Sequence, residues 1–401
     1  MTLKNKIKKI PTTMNIKTLA SAELKNKTVL IRVDFNVPMK NGTITENTRI
    51  VSSLPTIKHV LAAGAKKIHL LAHLGRPKGE INPNYTLAPV ANKLENLLGE
   101  TVFFAEKFSE KTGENKVILH ENIRFYPGEK KNDPNLITEI LEKTEAEIFV
   151  NDGFGVSHRA HASVVGFADK IPCYGGLLVQ KEIEHLSPFL SQEKIPGLTI
   201  VVGGAKMETK VAVLKHFAKT AENICIGGAL SNTFLAAEGY DMGDSLYEEA
   251  EFETARQVLM IAEQNKTGIH LPVDVMCAET TDGASLDFPI EDITGTLKAF
   301  DIGTHTIQSF EEILLHSKTV IWNGPLGLYE YEAFSQGTKR IANYLVDKCK
   351  AKTILGGGDT IDALKKFDVP HEKYTHISTG GGAMLEFLEG KELPGIKILE
   401  N

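Results

Sequence analysis

Thr353-Ile354-Leu355-Gly356-Gly357-Gly358-Asp359-Thr360, running on as Ile361-Asp362-Ala363-Leu364-Lys365-Lys366-Phe367, decides the fold. It reads as a short buried strand, a loop of three glycines and the start of an amphipathic helix. Glycines let the backbone approach a ligand closely and accept positive φ. The helix start offers free N–H groups and the positive end of a dipole, which suits an anion. Asp359 stands at that mouth, where a carboxylate repels a phosphate unless a cation lies between them. The stretch therefore suggests a phosphate chain with Mg²⁺, an ion that takes oxygen ligands and substrate phosphates. The competing reading is a tight strand–helix turn capped by Asp359 or Thr360.

The second half of the chain repeats this strand–loop pattern. Residues 198–202 lead into Gly203-Gly204-Ala205-Lys206-Met207-Glu208-Thr209-Lys210, and residues 223–226 into Gly227-Gly228-Ala229-Leu230-Ser231. Residues 319–322 lead into Asn323-Gly324-Pro325-Leu326-Gly327, and residues 375–377 into Ser378-Thr379-Gly380-Gly381-Gly382-Ala383. Five glycine-rich strand ends on one sheet rim describe a broad site of close approach, as a nucleotide needs. The loops contain neither G-x-x-x-x-G-K-[ST] nor a G-x-G-x-x-G fingerprint. Lys206 and Lys210 stand four apart at the head of a helical pattern and are expected on one face. A helix start normally favours negative charge, so a lysine directly after a glycine pair points to a bound anion.

The first half follows its strands with polar and basic residues instead. Residues 28–33 lead to Asp34-Phe35-Asn36, residues 67–72 to His73-Leu74-Gly75-Arg76, residues 117–119 to the stretch holding Arg124, and residues 148–150 to the stretch holding Arg159. Helical patterns over 48–63 and 88–98 lie between them. Strands alternating with helices imply a parallel sheet, and ligands bind beyond the C-terminal strand ends of such sheets. That rule gathers Asp34, Asn36, His73, Arg76, Arg124 and Arg159 on one rim, with Arg49 at the start of the first helix in reach. Guanidinium forks match phosphate and carboxylate. The competing reading, each Arg paired with a surface acid, weakens when several stand at equivalent strand ends. His158 and His161 have no further ligands at metal spacing.

Composition sets the outer limits. A chain of 401 residues exceeds one typical core, so two domains are expected. A net charge of −6 argues against a general nucleic-acid binder. No run of 18 apolar residues predicts a membrane span. Cys173, Cys225, Cys277 and Cys349 lie far apart and read as reduced, mostly buried thiols of a cytoplasmic protein. The basic start lacks an apolar h-region, so it is not a secretory signal. A helix over 177–190, broken near Pro188, reads as the connector between two domains.

The motifs together resemble the phosphoglycerate kinase family. They are RVDFNVP (32–38), HLGRP (73–77), ENIRF (121–125), DGFGVSHRAHAS (152–163), GGAK (203–206), LPVD (271–274), WNGPLG (322–327), GGGDT (356–360) and STGGGA (378–383). The resemblance runs from about Leu19 to the C-terminus. It implies an α/β chain of two Rossmann-like three-layer domains with parallel sheets, joined by a hinge helix. Residues 1–13 would be an extension, 14–184 a phosphoglycerate-binding domain, and 185–389 a nucleotide-binding domain. The tail, residues 390–401, would return to the first domain.

The implied reaction is reversible phosphoryl transfer between ATP and the carboxylate of 3-phosphoglycerate, giving ADP and 1,3-bisphosphoglycerate, with Mg²⁺. By resemblance, Asp34 and Asn36 contact the glycerate, with Phe35, Leu74 and Gly75 in the same substrate loops. His73, Arg76, Arg124 and Arg159 hold the non-transferring phosphate. Arg49 and Lys206 flank the phosphoryl group in flight, and Gly381, within Gly380–Gly382, meets it at closure. Lys210, Asn323, Gly357, Gly358 and Thr360 serve the nucleotide phosphates, and Asp359 carries Mg²⁺. Gly204, Ala205, Gly228, Pro325 and Leu326 line the purine slot, and Glu330 takes the ribose. A monomer with no nucleic-acid or membrane partner is implied. Ala229 stands where the family often has glycine, and Ala299-Phe300-Asp301-Ile302-Gly303-Thr304 departs from its commoner loop near the purine; Gly153 replaces a usual Ala.

Other functions fit less well. A dinucleotide dehydrogenase would show its glycine fingerprint on the first strand. A binding protein without chemistry would not need Lys206, Lys210 and Asp359 facing glycine loops. Another small-acid kinase shares the arginine rim and is separated by motif order alone.

Overall fold

Short apolar runs without polar alternation become strands covered on both faces. The structure, a computed structural model, describes residues 14–400. The extension expected over residues 1–13 lies outside them, as does Asn401. The chain forms two units, one of residues 14–187 with 391–400 and one of residues 188–390.

The first unit is built from β1 (Thr28–Arg32), the hairpin β2 (Met39–Lys40) and β3 (Thr43–Ile44), α1 (Thr48–Ala62), β4 (Lys67–Leu71), α2 (Ala88–Leu98), β5 (Val102–Ala105) and β6 (Val117–His120). It continues through α3 (Pro134–Thr144), β7 (Ile148–Asn151), α4 (Ala162–Val165), β8 (Cys173–Gly175) and α5 (Leu177–Leu186). Its sheet has the order β5-β6-β4-β1-β7-β8 with every neighbouring pair parallel. β1 is central and buried throughout, with Val29 opposite Ile68 on one side and Ile148 on the other. The chain lays β4 beside one edge of β1 and β7 beside the other, so a crevice opens beyond the strand ends between them. The helical pattern over 177–190 resolves into α5 and a 3₁₀ turn at Ser187–Leu190, where Pro188 ends regular bonding. The C-terminal segment fastens onto this unit: Lys17 N–H donates to Leu399 O at 2.7 Å, and Asn151 Nδ2 donates to Gly395 O at 2.8 Å.

The second unit runs β9 (Leu198–Val202), α6 (Val211–Thr220), β10 (Asn223–Ile226), α7 (Gly228–Ala237), α8 (Phe252–Gln264), β11 (Gly268–His270), β12 (Asp274–Ala278), β13 (Leu286–Pro289) and β14 (Lys298–Ile302). Then follow α9 (Thr304–Leu315), β15 (Thr319–Asn323), α10 (Gln336–Asp347), β16 (Lys352–Gly356), α11 (Gly358–Lys366), β17 (His376–Ile377) and α12 (Gly382–Leu388). Its main sheet, β11-β10-β9-β15-β16-β17, is again parallel throughout. A separate antiparallel sheet, β13-β12-β14, was not expected from the strand–helix rhythm. Its strands are short, and its two outer strands are largely half exposed or exposed, so their hydrophobic pattern is weak. Trp322 is fully buried beneath the glycine loops, and its indole N–H donates to Gly324 O at 2.7 Å. All four cysteines are free, and three are buried. Among the described residues, no helix is long and apolar enough to cross a membrane.

Candidate active site

In the first unit, the loops after β1, β4, β6 and β7 knit into one rim. Arg49, in the first turn of α1, forms an ion pair with buried Asp34. Asn36 Oδ1 accepts the Gly75 N–H at 2.8 Å, joining the β1 and β4 loops. Arg124 reaches the same loop, its NH1 donating to Gly75 O at 2.8 Å. Gly75 has φ +61°, and a Cβ there would meet the Tyr85 ring at 2.3 Å, so no other residue fits. Phe35 and Leu74 are buried, so the side chains of these two expected substrate residues belong to the core.

The alternative that each arginine merely pairs with a surface acid fails for three of them. Among the described residues, Arg76, Arg124 and Arg159 form no ion pair with a carboxylate. Among the described residues, no acceptor meets the buried Arg124 Nε. Burial, reinforced by the neighbouring Arg32 charge, pulls the Arg124 guanidinium down to about 10. Burial and the Arg32, Arg124 and Arg49 charges hold the His73 imidazole well below its usual value, so it is neutral at pH 7. The rim holds concentrated positive charge with few counter-charges, the environment in which a phosphate replaces missing partners.

Sequence reading placed Arg32 inside an apolar strand and assigned it no role. It is wholly buried, with Nε donating to Ser163 Oγ at 2.9 Å and NH2 3.1 Å from His73 Nδ1. Ser163 Oγ donates in turn to Glu129 Oε1 at 2.7 Å, and Glu129 is also fully buried. Asn122 was likewise passed over; it donates to Leu74 O at 2.7 Å and Tyr85 O at 2.9 Å, fixing the β4 loop. A charged residue interrupting a buried strand was the available signal for Arg32. Nothing in the sequence marked its partners 97 and 131 positions away, at Glu129 and Ser163. His161 Nδ1 lies 3.6 Å from Glu129, so it belongs to this network, and the described residues contain no group of three metal-ligating side chains.

In the second unit, β10, β9, β15, β16 and β17 are consecutive neighbours, so the five glycine-rich loops leave the sheet side by side. Asn323 Nδ2 donates to Gly356 O at 3.0 Å, and Gly324 N–H donates to Thr360 Oγ1 at 2.8 Å. The cap of α11 is Gly357 at φ +101°, with no side-chain cap bond. Thus neither Asp359 nor Thr360 caps the helix: Thr360 turns inward to the neighbouring loop, and Asp359 is exposed, with no hydrogen bond or ion pair among the described residues.

Lys206 and Lys210 do not share a helix face as expected. Residues 203–209 form bends and turns, and α6 begins only at Val211, with Lys210 as its cap residue. The helical spacing of the side chains was overridden because Gly204 takes φ +90° and Met207 N–H is drawn to Glu248 Oε2 at 2.6 Å. Lys206 is exposed. Lys210 is buried and folds back onto the strand ends, donating to the carbonyls of Gly203 and Asn323. Burial pulls its ammonium down to about 8, opposed by the Asp359 carboxylate.

A cavity of about 310 Å³ extends from Asp359 along Gly204, Ala205 and Gly228 to Pro325 and Glu330. That is the low end of the range for small-molecule sites. Leu326, expected in its wall, is fully buried below it. Leu246, Ala299, Phe300, Leu328 and Tyr329 supply the rest of the apolar wall.

Comparison with known proteins identifies the family and the fold. The family model described as phosphoglycerate kinase matches residues 19–391. The chain belongs to the phosphoglycerate kinase family. It is 46% identical over 398 residues to the phosphoglycerate kinase of Thermosipho africanus, covering 96% of this chain and 98% of that protein. Identity to the Finegoldia magna phosphoglycerate kinase is 45% over 399 residues, covering 96% and 100%. The structure of phosphoglycerate kinase from Coxiella burnetii superposes with a TM-score of 0.84 at 39% identity, covering 96% and 98%. The Pyrococcus horikoshii enzyme superposes with a TM-score of 0.82 at 31% identity, with the same coverage. The family implies a nucleotide substrate and a phosphorylated acid. Within it, this chain closes the apolar cavity with Phe300 and Ala229, the positions already noted as departures.

Proposed function

We propose that the chain performs reversible phosphoryl transfer between ATP and the carboxylate of 3-phosphoglycerate, yielding ADP and 1,3-bisphosphoglycerate. The observation that carries the reading is the rim's unmet cationic capacity: among the described residues, Arg76, Arg124 and Arg159 form no ion pair with a carboxylate, and Arg124 Nε is a buried donor without an acceptor. Residues 14–184 with the tail 390–401 take the phosphoglycerate, and residues 185–389 take the nucleotide. Arg76, Arg124 and Arg159, with neutral His73, hold the non-transferring phosphate, while Asp34 and Asn36 face the glycerate. The apolar cavity receives the purine, and Glu330 the ribose. Lys210, the Gly357–Gly358 loop and Asn323 serve the phosphate chain.

Asp359 fits Mg²⁺. It is a hard oxygen ligand with no hydrogen bond or ion pair among the described residues, beside the start of a helix that favours phosphate, and Mg²⁺ commonly uses one or two carboxylates plus substrate phosphates. When bound, the ion would neutralise charge on the phosphate chain. The acceptor carboxylate is already a nucleophile, so no general base and no covalent enzyme intermediate are required. Catalysis is then positioning and charge neutralisation, with Arg49 and Lys206 flanking the transferred group and Gly381 meeting it. Closure of the two units would bring the reactants in line and exclude water. A cytoplasmic monomer suits the family, and four free thiols suit a reducing compartment.

The test is 3-phosphoglycerate-dependent ATP consumption, coupled through glyceraldehyde-phosphate dehydrogenase to NADH loss, with and without Mg²⁺. Magnesium-dependent turnover is expected. Folded protein that binds nucleotide but shows no turnover with this acceptor would overturn the substrate assignment.

A further inference from the structure

Helix α11 is fastened along its length to the segment that walls one side of the cavity. Near its start, Thr360 Oγ1 accepts the Gly324 N–H at 2.8 Å. Two residues on, the Tyr329 hydroxyl donates to Asp362 Oδ2 at 3.0 Å. At its end, Lys366 Nζ donates to Tyr329 O at 2.8 Å and to Glu330 O at 2.6 Å. Asp362 and Lys366 are four apart and share a face. Asp359 lines the same cavity from the opposite end of this helix, and at 1.5 Å per residue about 10 Å of helix axis separates Asp359 from Lys366.

These bonds matter for the Tyr329–Glu330 end of the wall, because the other bonds hold its earlier part: Gly204 N–H donates to Pro325 O at 2.7 Å, Gly228 N–H to Leu326 O at 2.9 Å and Leu326 N–H to Thr338 Oγ1 at 2.9 Å. Residues 324–330 carry two glycines and a proline and form no regular element. On the other side, Leu328 N–H donates to Phe300 O at 2.8 Å. Tyr329 is buried, so its hydroxyl needs the partner that Asp362 supplies. Lys366 brings a cation to the C-terminal turn of α11, where the helix dipole favours it. The two backbone carbonyls that it holds belong to the successive peptides Tyr329–Glu330 and Glu330–Tyr331.

We infer that Asp362 and Lys366 are positioning residues for the nucleoside: they hold the Tyr329–Glu330 wall in register with the phosphate end of the site. Neither touches the ligand. One helix therefore sets the spacing between the phosphate subsite at its start and the base-and-ribose subsite along its flank. The inference rests on the nucleotide placement proposed above.

The consequence is a split in affinity between a whole nucleotide and its phosphate chain alone. Calorimetry would compare Mg·ADP with Mg·tripolyphosphate, which has no base or ribose, on the full chain and on Lys366→Met, Asp362→Ala and Tyr329→Phe. Losing one charge-assisted bond to the wall should weaken Mg·ADP on the order of tenfold, with tripolyphosphate affinity and the KM for 3-phosphoglycerate unchanged. Tyr329→Phe keeps the ring and leaves α11 untouched, so it carries the test if a helix variant fails to fold. Equal loss for both ligands, or loss for neither, overturns the inference. If the unaltered chain binds tripolyphosphate but not ADP, the nucleoside placement itself falls, and the inference with it.

Discussion

Arg124→Lys isolates the donor that the structure leaves unmet. Lysine keeps the positive charge but loses the planar fork and with it the buried Nε–H. If that N–H receives a phosphate oxygen, the bond is charge-assisted and shielded from water, worth about 1.5–3 kcal/mol. At 1.4 kcal/mol per decade, the KM for 3-phosphoglycerate should rise about 10- to 150-fold. The KM for ATP and the turnover at saturating acid should change little if Arg124 holds the non-transferring phosphate, as proposed. The coupled assay measures all three. Thermal melts supply an independent check. Bound ligand stabilises the folded state by mass action, so each tenfold loss of affinity should remove about 1.4 kcal/mol of stabilisation at a fixed high ligand concentration. Without ligand, the loss of the NH1 bond to Gly75 O and the removal of the unpartnered Nε–H oppose each other, so the melting temperature should move little. An unchanged KM with an unchanged ligand-induced shift would refute the reasoning and place the anion elsewhere.

Arg49→Ala should lower turnover far more than it weakens nucleotide binding; equal losses would remove Arg49 from the transferred group. Asp359→Ala should blunt the dependence of the rate on Mg²⁺, and an unaltered magnesium titration would rule it out as the metal ligand. A pH effect is expected at a distance from the site. His69 Nδ1 and His120 Nε2 lie 2.8 Å apart, both buried, and burial pulls the imidazoles down to about 4 and about 3. The unfolded chain binds these protons near 6.5 while the folded chain does not. Stability is therefore full above that value and is lost as pH falls from about 6.5 towards 4, by about 1.4 kcal/mol per pH unit per ring. His120→Gln should flatten the fall in melting temperature between pH 7 and 5; parallel curves for parent and variant would refute it.

The sequence by itself determined most strands of the two parallel sheets and several of the helices between them, because strands buried on both faces are written as uninterrupted apolar runs and such helices keep a 3.6-residue period. α2, β9 and β10 occupy the residues expected for them. It also determined which residue types stand at the strand ends, and motif order carried the family. The short β12–β14 sheet escaped because its strands have only four or five residues and the outer two, β13 and β14, are largely half exposed or exposed, leaving little pattern. Tertiary structure alone decided which of the rim's charges are paired. Asp34 takes Arg49, while Arg124 Nε is left without an acceptor; that outcome depends on loops brought together from four strands. The buried Arg32–Ser163–Glu129 network, the folding-back of Lys210 and the fastening of α11 to the cavity wall have the same origin. Each joins side chains far apart in the chain, and local propensity is silent about contacts that form only when a sheet sets its strand ends side by side.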